Sequence, residues 1–485
     1  MAVPKGDSCH QTRYESDPAD GSTMIGAMEA SPGLLTDLYE LTMAAAYVAE
    51  GLAEKPATFS LFVRALPPSR GYLVAAGLDS ALGYLEALRF TDQELAFLDG
   101  LGLFGPEVMD RLARLRFTGS VRAMPEGTVF FAGEPVLEVT APMVEAQLVE
   151  TFMLNQVTTE TTLASKAARY RHAARGRAVV DFAFRRTQGL DAAMKLVRAV
   201  AICGLAGTSN VAGARRYGVP ASGTMAHSFI QAHHDERAAF RAYADVFGPR
   251  SVLLVDTYDT HQGVEHAIEV ARELRGKGVE LSGIRLDSGD LASLAHDARR
   301  RLDDEGFPDV QIMASGGLDE HLIETLLERD HAPIDGFGVG SDLGVSADVP
   351  VLETVYKLVA FDGRPVRKLS PGKETWPGAK QVWRRGDWTA DAVALDDEMS
   401  PMPDGDPLLV EVMRDGARTA AGRAALGDAH ARFEVQWAKL PEPFKRLREP
   451  ARREVVVSPE LQRMAQALDD RLQDQPPAAR REHDD

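Results

Sequence analysis

The chain has 485 residues and a formal charge of −18, because 54 Lys and Arg residues are set against 72 Asp and Glu residues. Hydrophobic residues make up 45% of the chain, which is typical of a globular protein with two or three domains and excludes disorder of the whole chain. The acidic balance argues against sequence-independent nucleic-acid binding, which needs a basic surface, but it is compatible with a small local phosphate site.

The two cysteines, Cys9 and Cys203, lie far apart and form no C-x-x-C pattern. This excludes a disulfide framework and a zinc site built from cysteines. Residues 1–30 contain no apolar segment of the kind that a secretory signal needs. The most apolar helical stretch, 196–205, includes Arg198 and is too short to span a bilayer. We therefore expect a soluble cytoplasmic protein without a membrane partner.

The first third of the chain predicts a disordered leader followed by mixed structure. Residues 1–30 are polar and lack periodicity, so they cannot bury enough apolar surface to offset the entropy of ordering. Residues 31–150 predict helices and strands in alternation. The predicted elements are a helix after Thr36 or Asp37, strands at 57–63, 120–124 and 128–139, and a long helix from about Val144 towards Arg175.

The middle of the chain, 151–349, is regular and predicts a catalytic α/β domain. Strands separated by single helices imply parallel βαβ units, and continuously apolar strands imply burial on both faces. The pattern fits a barrel or a doubly wound sheet, and periodicity cannot choose between them. The predicted strands are 178–182, 219–223, 251–256, 282–287, 310–315 and 334–340.

The last third of the chain loses this repeat. Residues 350–440 predict antiparallel hairpins with turns at 362–363 and 386–387, where Asp-Gly and Gly-Asp pairs stand. The simplest interpretation joins 31–150 and 350–440 into one β-rich second domain. Residues 441–485 predict a helical segment and a polar tail.

The predicted strand ends carry most of the polar motifs. In parallel α/β folds, ligands bind at the carboxyl ends of the strands. These ends read DFAFRRTQG, GTMAHS, DTYDTHQG, RLDSGD, ASGGLD and GVGSDLG, and they bring arginines, a histidine and aspartates such as Asp256 together. The sequence therefore predicts one polar site on this rim.

Two of these motifs suit a phosphorylated sugar. The glycine pair 316–317 and the Gly-Ser pair 340–341 expose backbone N–H groups that can bind phosphate, although such glycines also occur in ordinary turns. Arg285 and Asp287 lie two residues apart and share one face of a strand. They can bind an anion and sugar hydroxyls, or they can form an ion pair with each other.

Two further motifs suit an aromatic acid and a group transfer. His227 follows Thr224 at a strand-to-helix turn, where a histidine can act as an acid, a base or a nucleophile, although a lone histidine is more often structural. Phe182 and Phe184 stand beside Arg185, which suits stacking on a flat anionic ring. The alternative is that Phe182 belongs to the core.

These motifs, together with LLTDLYELTMA at 34–44, resemble the nicotinate phosphoribosyltransferase family over about residues 34–440. The resemblance implies the type II phosphoribosyltransferase fold, an irregular α/β barrel with a second, β-rich α+β domain built from N- and C-terminal segments. It implies transfer of phosphoribose from 5-phosphoribosyl 1-pyrophosphate to nicotinate in NAD salvage, giving nicotinate mononucleotide and pyrophosphate. ATP hydrolysis would be coupled through a phosphohistidine, and Mg²⁺ would be required, with no ligands assigned. Members of the family are homodimers with shared active sites.

The resemblance also implies roles for single residues. His227 would be the phosphorylated histidine and Asp287 would hold the ribose hydroxyls, so we expect both to be catalytic. The remaining implied substrate-binding residues are Tyr39, Phe182 and Phe184 at the nicotinate ring, Arg285 and Thr224 at the nicotinate, Arg185 at the phosphorylated sugar, Gly316, Gly317, Gly340 and Ser341 at the 5-phosphate, and Asp256.

Three alternatives differ in substrate or in class. The same fold could take nicotinamide, which is neutral, or quinolinate, whose two carboxylates need a more basic pocket. The adjacent arginines at 185–186 favour an acid. A non-catalytic binding protein on this fold would have no need for His227, Arg285 and Asp287 together. A lyase or isomerase acting on a sugar phosphate would leave Tyr39 unexplained.

Overall fold

The computed structural model describes residues 32–370 and 373–473. The predicted leader over 1–30 and the last part of the predicted tail lie outside the described residues. The described chain forms two compact units. We call Leu163–Pro350 the central unit, and we call the described residues before and after it the flanking unit.

The elements are named in chain order. The segment before the central unit contains α1 (Leu38–Ala49), β1 (Pro56–Val63), β2 (Leu73–Val74), α2 (Leu78–Ala87), α3 (Asp92–Gly100), α4 (Pro106–Ala113), β3 (Ser120–Ala123), β4 (Val129–Phe130), β5 (Pro135–Pro142), α5 (Met143–Leu148) and the first half of α6 (Glu150–Ala173).

The central unit continues from α6 with β6 (Ala178–Asp181), α7 (Leu190–Ile202), β7 (Gly207–Thr208), α8 (Val211–Tyr217), α9 (His227–Gln231), α10 (Glu236–Phe247), β8 (Val252–Leu254), α11 (Thr260–Gly276), β9 (Gly283–Leu286), α12 (Leu291–Asp304), β10 (Gln311–Ala314), α13 (Glu320–Glu328), β11 (Gly336–Val339) and α14 (Ser341–Val345).

The segment after the central unit contains β12 (Thr354–Phe361), β13 (Arg364–Pro365), β14 (Lys380–Arg385), β15 (Asp391–Leu395), β16 (Gly405–Pro407), β17 (Val410–Arg414), β18 (Ala417–Arg418), α15 (Leu426–Lys439), α16 (Glu442–Lys445), β19 (Val456–Val457) and α17 (Pro459–Gln473). Within the described residues, no helix is both long and apolar enough to cross a membrane.

The flanking unit is built on a seven-stranded sheet with the strand order β13-β12-β1-β5-β3-β17-β18. In its middle, Leu61 of β1 pairs with Leu137 of β5 on one side and with Tyr356 of β12 on the other, both antiparallel. β5 precedes the central unit in the chain and β12 follows it. The ladder therefore joins segments from both sides of the central unit and confirms a β-rich domain of discontinuous sequence.

Both predicted hairpins are present in the flanking unit. Asp362 and Gly363 connect β12 to β13 with φ angles of 49° and 74°, the left-handed region that a tight hairpin turn requires. The pair at 386–387 lies in the connection between β14 and β15, which pair antiparallel.

The central unit contains a six-stranded sheet of parallel strands with the order β7-β6-β11-β10-β9-β8. Five predicted strands correspond to β6, β8, β9, β10 and β11. The predicted strand at 219–223 is wrong, since this segment forms only an isolated bridge between Ala221 and Thr208. Pro220 lacks the backbone N–H that a longer ladder would need. The short strand β7 takes the edge position instead.

The packing of the sheet distinguishes a barrel from a flat doubly wound sheet. Val180 of β6, Met313 of β10 and Val252 of β8 form one buried hydrophobic cluster, against which Phe182 packs. These residues come from alternate strands, as the side-chain layers inside α/β barrels do. In a flat sheet β6 and β8 would lie about 19 Å apart, at about 4.8 Å per strand. The shared cluster therefore indicates a sheet that curls towards a barrel, and the α/β fold class is confirmed.

A buried ionic cluster stabilises the flanking unit. Arg384 Nη2 lies 2.6 Å from Asp391 Oδ2, and Arg453 Nη1 lies 3.1 Å from Asp391 Oδ1. Burial raises the pKa of Glu134, which lies beside this cluster, and the Asp391 charge raises it further. Arg384 also stacks over the Trp388 ring, 4.4 Å from its centroid. Because Arg453 takes part in this cluster, the cluster fixes a late segment of the chain to β14 and β15.

We predict that Arg384→Met lowers the free energy of unfolding by about 3–5 kcal/mol, because it leaves buried carboxylates without their main counterion. Urea and thermal unfolding measure this change. Arg414→Met is the matched control, since the Arg414 side chain is 68% exposed and pairs with Glu411 at the surface. The control should cost less than about 1 kcal/mol. Equal losses in the two variants would contradict the role of the cluster.

Candidate functional site

The register of the parallel strands brings the predicted site residues of the central unit to one edge. Neighbouring strands end within two residues of one another in the register, so the residues that follow them lie on the same edge of the sheet. The register pairs at these ends are Leu254 with Arg285, Leu286 with Ala314, and Val339 with Asp181.

Two carboxylates stand next to each other at the ends of β8 and β9. Asp256 Oδ2 accepts hydrogen bonds from the backbone N–H of Asp287 at 3.1 Å and from Ser288 Oγ at 2.5 Å. Asp287 Oδ1 accepts a short hydrogen bond from Ser315 Oγ at the end of β10. Asp256 Oδ1 is buried and has no hydrogen-bond partner among the described residues. The arrangement therefore offers acceptor oxygens to a ligand on this edge.

His227 is the first residue of α9 and faces these carboxylates. Its Nδ1 lies 3.1 Å from Thr257 Oγ1, and its Nε2 lies 3.9 Å from Asp287 Oδ2. The side chain is 41% exposed. When Nδ1 carries the proton and donates a hydrogen bond to Thr257 Oγ1, Nε2 keeps a free lone pair directed at the site.

Arg285 is held against the loop that leads to His227. Its Nη1 donates to Thr224 Oγ1 at 2.5 Å and its Nη2 donates to the Met225 carbonyl at 3.0 Å. Its Nε is buried without a hydrogen-bond partner among the described residues. Burial lowers the pKa of the Arg285 guanidinium, although the Asp287 charge opposes this effect. The alternative of a direct Arg285–Asp287 ion pair is not found among the described contacts, so the arginine has capacity for an anionic ligand.

The aromatic residues after β6 divide into a core residue and exposed ones. Phe182 is half-buried against the hydrophobic cluster, and its ring would lie only 2.4 Å from a Cβ at Gly338. Phe184 and Arg185 are exposed in the 3₁₀ turn that follows. Arg185 is near enough to Arg285 to contribute to the lowering of its pKa. Phe182 thus packs under the edge where the strands end, whereas Phe184 and Arg185 are exposed to solvent next to that edge.

The two predicted phosphate loops lie at the ends of β10 and β11. Gly316 and Gly317 have φ angles of 85° and 64°, and both are exposed. A Cβ on Gly316 would lie 1.8 Å from the Asp287 carbonyl oxygen, which requires glycine there. Gly340 and Ser341 form the start of α14. Both loops follow parallel strands and therefore lie on the same edge as Asp287.

Other aspartates of the predicted rim have local structural roles. Each accepts a hydrogen bond from a backbone N–H in the first turn of the helix that follows it, and so forms an N-cap. The three caps are Asp259 on α11, Asp290 on α12 and Asp319 on α13. No group of three or more His, Cys, Asp or Glu side chains able to hold a metal occurs within 32–370 and 373–473.

Tyr39 belongs to the flanking unit, where it lies on α1 and is 46% exposed. Its hydroxyl donates to Glu40 Oε1 at 3.2 Å. Glu40 is buried and also accepts from the backbone N–H of Thr151, near the start of α6, at 3.1 Å. Burial raises the pKa of Glu40 to about 7. Glu40 therefore holds the Tyr39 hydroxyl close to the first turns of α1 and α6.

Sequence reasoning missed residues that orient the predicted ones. Thr257 contacts the His227 ring, Ser315 donates to Asp287, and Glu40 holds Tyr39. All three stand inside motifs that the sequence pointed to, directly beside a predicted site residue. Their position next to a predicted site residue was the one sign in the sequence that they could belong to the site. The side chains that they contact could not be predicted, because those contacts depend on the fold.

Comparison with known proteins gives consistent matches along the chain. A family model described as the nicotinate phosphoribosyltransferase N-terminal domain matches residues 34–158, and the nicotinate phosphoribosyltransferase family model matches residues 177–379. The chain is 50% identical over 417 residues to nicotinate phosphoribosyltransferase pncB2 of Mycobacterium tuberculosis (strain ATCC 25618 / H37Rv), covering 85% of this chain and 89% of the relative.

Two further matches extend this result. Nicotinate phosphoribosyltransferase of Bacillus subtilis (strain 168) is 46% identical over 367 residues, with 74% of each chain covered. The crystal structure of human nicotinic acid phosphoribosyltransferase aligns with a TM-score of 0.80 at 29% identity, covering 90% of this chain and all of that one (100%).

We predict that Gly316→Ala is much more damaging than Gly317→Ala. Both glycines have left-handed φ angles, which cost a non-glycine residue about 1–2 kcal/mol. Only Gly316 would also place its Cβ against the Asp287 carbonyl, since nothing lies within 4 Å of a Cβ at Gly317. Thermal unfolding of the two variants should show the larger fall in melting temperature for Gly316→Ala. Equal falls would mean that the backbone at Asp287, just after β9, does not constrain this loop.

Proposed function

The chain belongs to the nicotinate phosphoribosyltransferase family, and from this premise we propose that it transfers phosphoribose to nicotinate in NAD salvage. The products would be nicotinate mononucleotide and pyrophosphate, formed from nicotinate and 5-phosphoribosyl 1-pyrophosphate. One observation carries the proposal above the others. His227 Nε2, the Asp287 carboxylate and the Arg285 guanidinium converge on one strand edge, on which the exposed glycine pair 316–317 and the start of α14 also lie.

Arg285 would bind the nicotinate carboxylate. Its guanidinium is already oriented by Thr224 and Met225, and a fixed planar fork suits bidentate pairing with a carboxylate. Phe182 or Phe184 would face the pyridine ring on one side. A neutral amide would gain less from this arginine than an acid does, which supports nicotinate over nicotinamide.

The phosphorylated sugar would occupy the neighbouring strand ends. Asp287 would accept hydrogen bonds from the ribose hydroxyls, with Ser315 holding the carboxylate in place. The backbone N–H groups of the 316–317 and 340–341 loops would bind the 5-phosphate, and Arg185 would contact the same substrate. The 5-phosphate would thus lie at the ends of β11 and β10, and the ribose at the end of β9, which is the next strand in the sheet.

In the transfer step, the bond from the sugar carbon to pyrophosphate breaks and a bond to the pyridine nitrogen forms. The residues would act mainly by positioning the two reactants, because no proton has to leave the attacking nitrogen. Asp256 and Asp287 fit a role in holding Mg²⁺, since Asp256 Oδ1 is an unused buried acceptor and Mg²⁺ commonly takes one or two carboxylates plus substrate phosphates. When bound, Mg²⁺ would neutralise the charge of the leaving pyrophosphate.

ATP would be coupled through His227. Nε2 would attack the γ-phosphorus, so that an N–P bond forms, the bond to the leaving ADP oxygen breaks, and water later releases phosphate. Thr257 would orient the ring through Nδ1. A phosphate on Nε2 would add negative charge next to Asp287 and so change the affinity for the phosphorylated sugar.

We also propose that the chain forms a homodimer and is located in the cytoplasm. Tyr39 is exposed and held by Glu40, which suits a ring that closes over the nicotinate of a partner subunit in a homodimer. ATP and phosphorylated sugars are intracellular metabolites, which supports a cytoplasmic location.

Turnover assays test the proposed function. The purified chain is incubated with 5-phosphoribosyl 1-pyrophosphate, Mg²⁺ and each base in turn, with and without ATP. We expect mononucleotide and ADP to form with nicotinate. If only nicotinamide or only quinolinate were turned over, the proposal that nicotinate is the substrate would be wrong. If no base were turned over, the result would indicate a binding protein on this fold.

We predict that His227→Asn abolishes acid-labile phosphate incorporation from γ-labelled ATP, because it removes the nucleophilic nitrogen. His296→Asn is the matched control, since His296 is exposed on α12 and contacts only the Asp330 carbonyl among the contacts that the structure describes. Labelling and ADP release are measured for both variants. Retained labelling in His227→Asn would refute the phosphohistidine.

A further inference from the structure

Lys166 is a buried lysine within the central unit, on α6, with a side chain that is 1% exposed. Its Nζ lies 2.6 Å from Glu320 Oε2, 2.6 Å from Asp342 Oδ2 and 2.9 Å from Asp348 Oδ1. Burying an ammonium group is costly unless it is paired, so this lysine is committed to these carboxylates. Lys166 takes part in none of the substrate contacts proposed for the central unit.

Two neighbours on the same face of α6 extend the network. Arg169 Nε lies 2.7 Å from Glu320 Oε1. The Tyr170 hydroxyl lies 2.7 Å from Asp342 Oδ2 and 3.0 Å from the Leu318 carbonyl. Lys166, Arg169 and Tyr170 stand at positions i, i+3 and i+4, which a helix places side by side.

Two of the three carboxylates in this network, Glu320 and Asp342, come directly after the two predicted phosphate loops in the chain. Glu320 is the first residue of α13, which follows the glycine pair 316–317. Asp342 is the second residue of α14, which follows Gly340. One face of α6 therefore holds the first turns of both helices.

The charges explain why a cation is needed at this position. A carboxylate in the first turn of a helix competes with phosphate for the same positive end of the helix dipole. Burial alone would raise the pKa of Glu320, but Lys166 and Arg169 outweigh it and hold this pKa below its ordinary value. Glu320 thus stays ionised. Without Lys166, Asp342 would lose this ion pair and Glu320 would keep only Arg169, so more negative charge would act on any phosphate bound in the adjoining loops.

We propose that Lys166 is a positioning residue for the phosphorylated donor, which neutralises Glu320 and Asp342 so that the two loops accept the 5-phosphate. The inference rests on the proposed function and adds to it a residue that does not touch the substrate. Its action is electrostatic, through the first turns of α13 and α14.

The test compares Lys166→Met with a matched control. Lys166→Met should raise the KM for 5-phosphoribosyl 1-pyrophosphate about tenfold or more, the effect of one unbalanced charge at moderate distance, and leave the KM for nicotinate within about twofold. It should also reduce the rise in melting temperature that the donor produces. Lys380→Met removes another buried lysine, which pairs with Glu138 at 3.2 Å in the flanking unit. This control should lose stability without a change in the KM for the donor.

A charge-compensating variant separates electrostatics from packing. Asp342→Asn added to Lys166→Met should recover at least half of the lost donor affinity on a logarithmic scale, whereas a merely structural lysine gives no recovery. Lys166→Gln, which keeps hydrogen-bond donors without the charge, is made in parallel in case the methionine variant does not fold, and the same result is expected.

The outcomes are distinct. An unchanged KM for the donor in a folded, uncharged variant would overturn the inference, and so would an equal rise in Lys380→Met or a failure of Asp342→Asn to compensate. If the wild-type chain turns over no base with the donor, the proposed function and the inference both fail. If the wild type is active and only the Lys166 variants behave like the control, the inference alone fails.

Discussion

The common register of the parallel strands is the constraint on which the rest of the central unit depends. Because neighbouring strands among β6 and β8 to β11 end within two residues of one another, residues that are far apart in sequence come to the same edge as soon as the sheet forms. The backbone N–H of Asp287 then reaches the Asp256 carboxylate, and Ser315 reaches Asp287. The backbone pairing of the strands therefore sets the positions of the residues on this edge. Short side chains such as those of aspartate and serine are then long enough to contact one another.

The charged residues of the chain have different partners at the surface and in the interior. At the surface, aspartates such as Asp259 and Asp290 accept hydrogen bonds from the N-terminal turns of helices. In the interior, ionised groups are matched in networks, by Lys166 in the central unit and by Arg384 in the flanking unit. An acidic protein can thus bind an anionic substrate, because its many carboxylates are paired or used as caps where they would otherwise repel it.

The sequence was sufficient for what depends on local pattern. Five parallel strands follow from apolar runs, and the turn at Asp362-Gly363 follows from residue type. The strand predicted at 219–223 failed because Pro220 limits pairing, whereas β7 is too short to leave a pattern. At the site, His227, Arg285 and Asp287 were visible as polar residues at strand ends. The environment of Lys166 was not, because a lysine in a helix predicts a solvated side chain and its three partners lie 154 to 182 residues away.

The pairing of β1 with β12 has a consequence for biosynthesis. Ala57 pairs with Phe361, 304 residues later in the chain. At about 5–20 residues per second, translation takes roughly 15–60 s to cover that distance. During that interval β1 can pair with β5, but its other edge has no partner strand and remains open to intermolecular pairing. The discontinuous sheet thus makes the nascent chain vulnerable to aggregation until the ribosome has completed the whole central unit.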